Sequence, residues 1–95
     1  MISLEDCIAL CGLTEDEIDA IAEHEHVPDI AAAILARYLL NREYGIQAIR
    51  RMIADDIRAA LQAGNVAHAA ELVSALRHLI DTHPRAATDP QAASE

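Results

Sequence analysis

Residues 28–40 read PDIAAAILARYLL, and the architecture of the whole chain turns on them. Pro28 suits the first position of a helix, where its missing N–H has no partner to lose. The three consecutive alanines and the leucines that follow are strong helix formers. A helix is therefore expected over residues 28–44. On a wheel of about 100° per residue, Ile30, Ile34, Tyr38, Leu35, Leu39 and Leu40 point in nearly every direction, as in a helix buried on several sides. This helix is expected at the centre of the fold, emerging where Arg37, Arg42 and Glu43 appear.

Upstream, Val27 precedes a proline, which disfavours helical backbone, so the preceding helix is expected to end there. That helix, residues 15–26, is opened by Thr14 and Glu17, spaced as a capping box. Its first turn holds Glu15, Asp16 and Glu17, where the helix dipole favours acids. Ile18, Ile21 and Ala22 form its apolar stripe. Before it, Ser3 and Asp6 make an acidic variant of the same cap. A short helix over residues 4–11 should follow, with Leu4, Cys7, Ile8 and Cys11 on one face and Gly12 as its stop.

Downstream, Gly45 interrupts the pattern, and residues 46–63 form the most amphipathic stretch in the chain. Ile46, Ile49, Ile53, Ile57, Ala60 and Leu61 share one face, and Gln47, Arg51, Asp55, Arg58 and Gln62 the other. Gly64 stops this helix and Asn65 caps the next, residues 66–81, whose stripe is Val66, Ala69, Leu72, Val73, Leu76, Leu79 and Ile80. Residues 84–95 lack a large apolar group and read as a disordered tail.

The expected fold is all-α: a compact bundle of about five short helices in a single domain, residues 1–83. The apolar helix lies at its centre, and the last two helices form an antiparallel hairpin. No segment sustains a period of two, so no sheet is expected. With Gly64 and Asn65 at its turn and Ala at several packing positions, the last pair resembles the helical hairpin of tetratricopeptide repeats, in a single copy.

Composition agrees with this reading. Ala makes up about a fifth of the chain and the only aromatics are two Tyr, so the core must come from Ile, Leu, Val and Ala. The net charge is −9, with ten acids against two Arg in residues 1–47 and six acids against five Arg in residues 48–95. So acidic a chain repels nucleic acid and anionic lipid, which argues against a helix-turn-helix DNA binder in spite of the short helices and sharp turns. No basic region opens the sequence, and Glu5 and Asp6 interrupt its first apolar run, so no export signal is expected. No run approaches the roughly 18 apolar residues of a membrane helix. Two Cys without an export signal imply reduced thiols and a cytoplasmic location.

Ionisable groups are densest at Glu23-His24-Glu25-His26. Glu23 and His26 have the Glu-x-x-His spacing that sets a carboxylate and an imidazole on one helix face, similar to the metal-binding helices of ferritin-like di-iron proteins. Asp19, four residues earlier, extends the face, and the set Asp19, Glu23 and His26 suits Fe, Mn or Zn. One chain holds only one such element, so a second chain would have to complete the site. The other reading is a solvated helix end. Glu25 falls between Ile18 and Ile21 on the wheel, so it either points inward to meet Arg50, Arg51 or Arg58 or reaches solvent where the helix frays. Cys7, Cys11 and His24 begin like a zinc finger, Cys-x3-Cys-x12-His, but no second His follows at Pro28, Asp29 or Ile30, so both Cys read as small core residues. His68, Glu71 and His78 read as surface groups.

No nucleophile elbow, Walker loop, Gly-rich dinucleotide turn or Ser/His/Asp pattern occurs. The functional expectation is a small interaction or regulatory protein without catalytic activity, one that self-associates or binds a protein partner, because surplus apolar helix faces are commonly hidden at symmetric interfaces. The alternative is a metal-binding protein whose site a second chain completes.

Overall fold

The structure is a computed structural model and describes residues 12–87. Among these residues four α-helices follow one another: α1 (Glu15–Glu25), α2 (Asp29–Leu40), α3 (Gly45–Gln62) and α4 (Val66–Thr82). A 3-10 turn, Pro84–Ala87, comes after α4. No strand occurs among the described residues, and none of their helices is long and apolar enough to cross a membrane. The helix expected over residues 4–11, with Cys7 and Cys11, lies outside the described residues.

Three helices supply the largest buried side chains: Ile18 and Ile21 of α1, Ile49 and Ile53 of α3 and Leu79 of α4. α3 packs most extensively on α4, from which only residues 63–65 separate it, while α2 leans on α1 and α3. Gly64 makes the turn with a positive φ of 77°, a conformation that strains any residue with a Cβ. The Asn65 side chain then accepts from the backbone N–H of His68 at 3.2 Å and caps α4. At the start of α1 the Thr14–Glu17 capping box is formed in both directions: the Thr14 N–H donates to Glu17 Oε1 at 2.8 Å and the Glu17 N–H to Thr14 Oγ1 at 3.3 Å.

The helix expected at the centre lies at the edge. In α2 the alanines face inward, with Ala32, Ala33 and Ala36 buried, and Leu35, Leu39 and Leu40 are half-buried at the margins. Ile30, Ile34 and Tyr38, spaced four apart, are 44%, 62% and 55% exposed. Apolar groups all round the wheel thus misled, because the face that packs is the one whose small side chains let two helix backbones come close. The helix also ends earlier than expected. Asn41 turns back to donate from Nδ2 to the Arg37 carbonyl at 2.9 Å, and residues 41–44 form a turn. Gly45 then opens α3 instead of interrupting the pattern. A Cβ there would lie 1.5 Å from the Leu39 carbonyl oxygen, so only glycine lets α3 begin against the last turn of α2.

Three other expectations are corrected. Leu61, Val66 and Val73, read as core, are exposed. Residues 84–87, read as the start of a disordered tail, form a 3-10 turn in which Ala86 is buried and its N–H donates to the His83 carbonyl at 2.8 Å. Arg85 donates through Nη2 to the Glu43 carbonyl at 2.9 Å, and its own carbonyl accepts from Gln47 Nε2 at 3.0 Å. That contact covers Gln47, which the wheel had placed on the solvent face of α3. Residues 88–95 lie outside the described residues.

Candidate functional site between α1 and α4

Most of the ionisable side-chain contacts of the described residues lie along the seam between α1 and α4. Near its lower end, Glu17 is fully buried. Its Oε1 is occupied by the capping box, and Oε2 lies 3.1 Å from His78 Nδ1. Two turns further along α1, Glu23 Oε1 lies 2.6 Å from His68 Nε2, and His68 Nδ1 lies 3.6 Å from Glu71 Oε2. Rising numbers on α1 meet falling numbers on α4, so the two helices run antiparallel. The Glu17–His78 and Glu23–His68 pairs join residues far apart in sequence and tie one helix to the other, whereas His68–Glu71 lies within α4.

A groove of about 410 Å³ runs along this seam, with Asp16, Asp19, Glu23, His68, Glu71 and Ser74 in its lining. Its electrostatics follow from those neighbours. Asp19 has its pKa pushed up to about 6, first by a side-chain hydrogen bond with Asp29 at the start of α2, then by burial and by the charges of Asp29, Glu15 and Asp16. Two carboxyls so close favour sharing a proton over two charges. His68 is raised above the usual imidazole range, chiefly by its hydrogen bond to Glu23. The groove thus gathers the carboxyls of Asp16, Asp19, Glu23 and Glu71 around one imidazole, that of His68.

The three residues read as metal ligands are placed differently from one another. Asp19 and Glu23 share the groove, with Glu23 engaged by His68. His26 does not line it. α1 ends at Glu25, and His26 is its cap in the left-handed conformation, φ 57° and ψ 46°. The Glu-x-x-His spacing assumed a helix through position 26, so the shared helical face does not form there. Among the described residues no group of three or more His, Cys, Asp or Glu is placed to hold a metal ion within one chain.

The buried carboxylate is Glu17, whereas Glu25 is exposed. Of the arginines read as partners for Glu25, Arg58 pairs instead with Asp55 at 2.6 Å, Arg51 is exposed, and Arg50 is half-buried with its Nε unpartnered. Glu17 carried a readable signal. A capping-box Glu folds its side chain back toward the helix start, and here that start abuts buried Leu13. His68 and His78 had no such signal, since their partners lie 45 and 61 residues away.

Away from the groove lining, His24 Nδ1 and Asp56 Oδ2 are buried without hydrogen-bond partners. Burial pushes the Asp56 carboxyl up, and the nearby His24 pulls it the other way. Compared with known protein families, with curated proteins and with solved structures, the chain shows no match.

Proposed function

We propose that this chain is a small α-helical interaction or regulatory protein, without catalytic activity of its own, that self-associates through the outward face of α2. One observation carries the reading: Ile30, Ile34 and Tyr38 form a continuous exposed ridge on a helix whose other face is packed. Fully burying a side chain of this size stabilises by roughly 1.5–3 kcal/mol, whereas association costs several kcal/mol in lost freedom, so three per chain support a weak pair rather than a permanent one.

Charge supports the same surface. The chain carries −9, but residues 28–44 hold Asp29 and Glu43 against Arg37 and Arg42 and are neutral. α1, by contrast, holds six acids and no Arg or Lys. Two such acidic molecules meet with least repulsion where each is neutral.

Light scattering across a concentration series tests the reading. The average mass should rise with concentration toward twice that of one chain. Ile34→Asp should weaken the association at least tenfold, while circular dichroism shows unchanged helix content. A mass that stays at one chain up to the highest concentration would overturn the proposal.

A further inference from the structure

We infer that a second pocket, between the α2–α3 turn and the end of α4, binds a small carboxylate with a short apolar body, held by Arg42 and Arg85. The pocket encloses about 210 Å³. Leu40 and Ile46 line it from the α2–α3 corner, and His83 and Pro84 from the segment after α4. Each segment also contributes one of the two arginines. The charge here is the reverse of the chain's, which holds 16 acids against seven Arg. No acid lines this pocket, and among the described residues neither Arg42 nor Arg85 stands in an ion pair. Glu43, next in sequence to Arg42, meets Arg85 with its backbone carbonyl rather than its carboxylate. Two guanidiniums around one cavity repel each other, and its walls focus their field, so the pocket draws an anion.

The lining is held in place before any ligand arrives. Arg85 is fixed twice, by Nη2 on the Glu43 carbonyl at 2.9 Å and by its own carbonyl on Nε2 of buried Gln47 at 3.0 Å. The Arg42 guanidinium sits over the Tyr38 ring, 5.4 Å from its centre. His83 Nε2 lies 3.4 Å from the Gly12 carbonyl. A guanidinium carries five N–H donors in its plane, so one bond to a carbonyl, or a face laid on a ring, leaves others free. Such a fork matches a planar carboxylate with two parallel hydrogen bonds. Leu40, Ile46 and Pro84 give the rest of the ligand an apolar wall, which a bare inorganic anion would leave unused. The cavity falls below the roughly 300 Å³ of sites for drug-sized ligands, so that apolar body must be short. Both arginines reach solvent, which screens their charge, so binding should be in the millimolar range. One chain forms the pocket by itself, and the inference does not depend on the self-association proposed above.

Acetate, butyrate and hexanoate test the site, each titrated into isotope-labelled protein at constant ionic strength and followed by NMR. Amide shifts should concentrate at Arg42, Ile46, His83 and Arg85, with affinity rising about twofold to fourfold per added methylene. Inorganic phosphate should bind about tenfold more weakly than hexanoate. Arg42→Gln should weaken hexanoate binding about tenfold, and Arg42→Lys nearly as much, because an ammonium keeps the charge but loses the fork. Arg42 carries this test because its side chain, unlike that of Arg85, holds no backbone group in place among the described residues. Arg58→Gln removes the same charge from an arginine already paired with Asp55 and should leave binding unchanged. Circular dichroism checks that each variant keeps the parent helix content. Equal losses in Arg42→Gln and Arg58→Gln would mean attraction to general charge and overturn the site. Phosphate binding as tightly as hexanoate would overturn the apolar body. No localised shifts with any probe at tens of millimolar would overturn the inference as a whole.

Discussion

α2 and α3 are both rich in apolar residues, yet they are used in opposite ways. α3 turns Ile46, Ile49 and Ile53 into the core and leaves Arg51 and Arg58 outside. α2 turns Ala32, Ala33 and Ala36 inward and leaves Ile30, Ile34 and Tyr38 in solvent. The difference shows that side-chain volume, not apolar count, assigns a helix to the centre or the edge. A helix with large groups on one side fills a core. A helix with small groups on one side closes against its neighbours, and its large groups remain free for a second surface.

The largest effect should come from cutting the same kind of side chain on each helix. Ile53→Ala should destabilise by about 2–5 kcal/mol, because it removes buried methyl groups and leaves a cavity in the core cluster that also holds Ile18, Ile49 and Leu79. Ile34→Ala should change the stability of the monomer by less than about 0.5 kcal/mol. Denaturant titration at low protein concentration reads both, and equal losses would break the contrast. A smaller effect tests the close-packed side. Ala36→Leu should destabilise by about 1–3 kcal/mol, since a fully buried alanine leaves no room for three more carbons. A neutral result would mean that α2 is free to move outward and does not pack closely.

The smallest effect depends on pH and sharpens how α2 sits on α1. Asp19 has a folded pKa of about 6, above its ordinary value of 3.8. Its contribution to stability is therefore fully present below about pH 4, falls as pH rises toward 6, and is absent at neutral pH. Asp19→Asn should leave stability unchanged at acid pH and raise it at neutral pH by no more than about 1 kcal/mol, because solvent screens so exposed a group. His68 adds a loss of the same sign at higher pH. Its raised pKa means that its pairing with Glu23 is present below the usual imidazole range and disappears as pH rises through the folded value. Thermal melts from acid to mildly alkaline pH check both, and an Asp19→Asn gain that is constant across that range would rule out the shared proton with Asp29.

Much of the fold was legible because its signals are local. The Thr14–Glu17 box, the Asn65 cap and the Gly64 turn each join residues within four positions of one another, and each was read correctly. The candidate site was much less legible. Asp19 and Glu23 were marked for their chemistry, but the groove also needs His68 and Glu71 from α4, which read as ordinary surface groups. His26 was marked and does not belong to it, because a left-handed cap on a residue other than glycine leaves no mark in the sequence.

By itself the sequence determined where helices form, most of where they stop, and that no strand accompanies them among the described residues. Capping, turn chemistry and periodicity act over a few residues and need no other part of the chain. Only the tertiary structure decided which side of α2 faces inward, that Glu17 and not Glu25 is buried, that His68 and His78 close on α1, and that the Arg85 carbonyl meets Gln47. Each of these depends on how closely two helix backbones can approach, a distance set jointly by side chains from segments far apart in sequence.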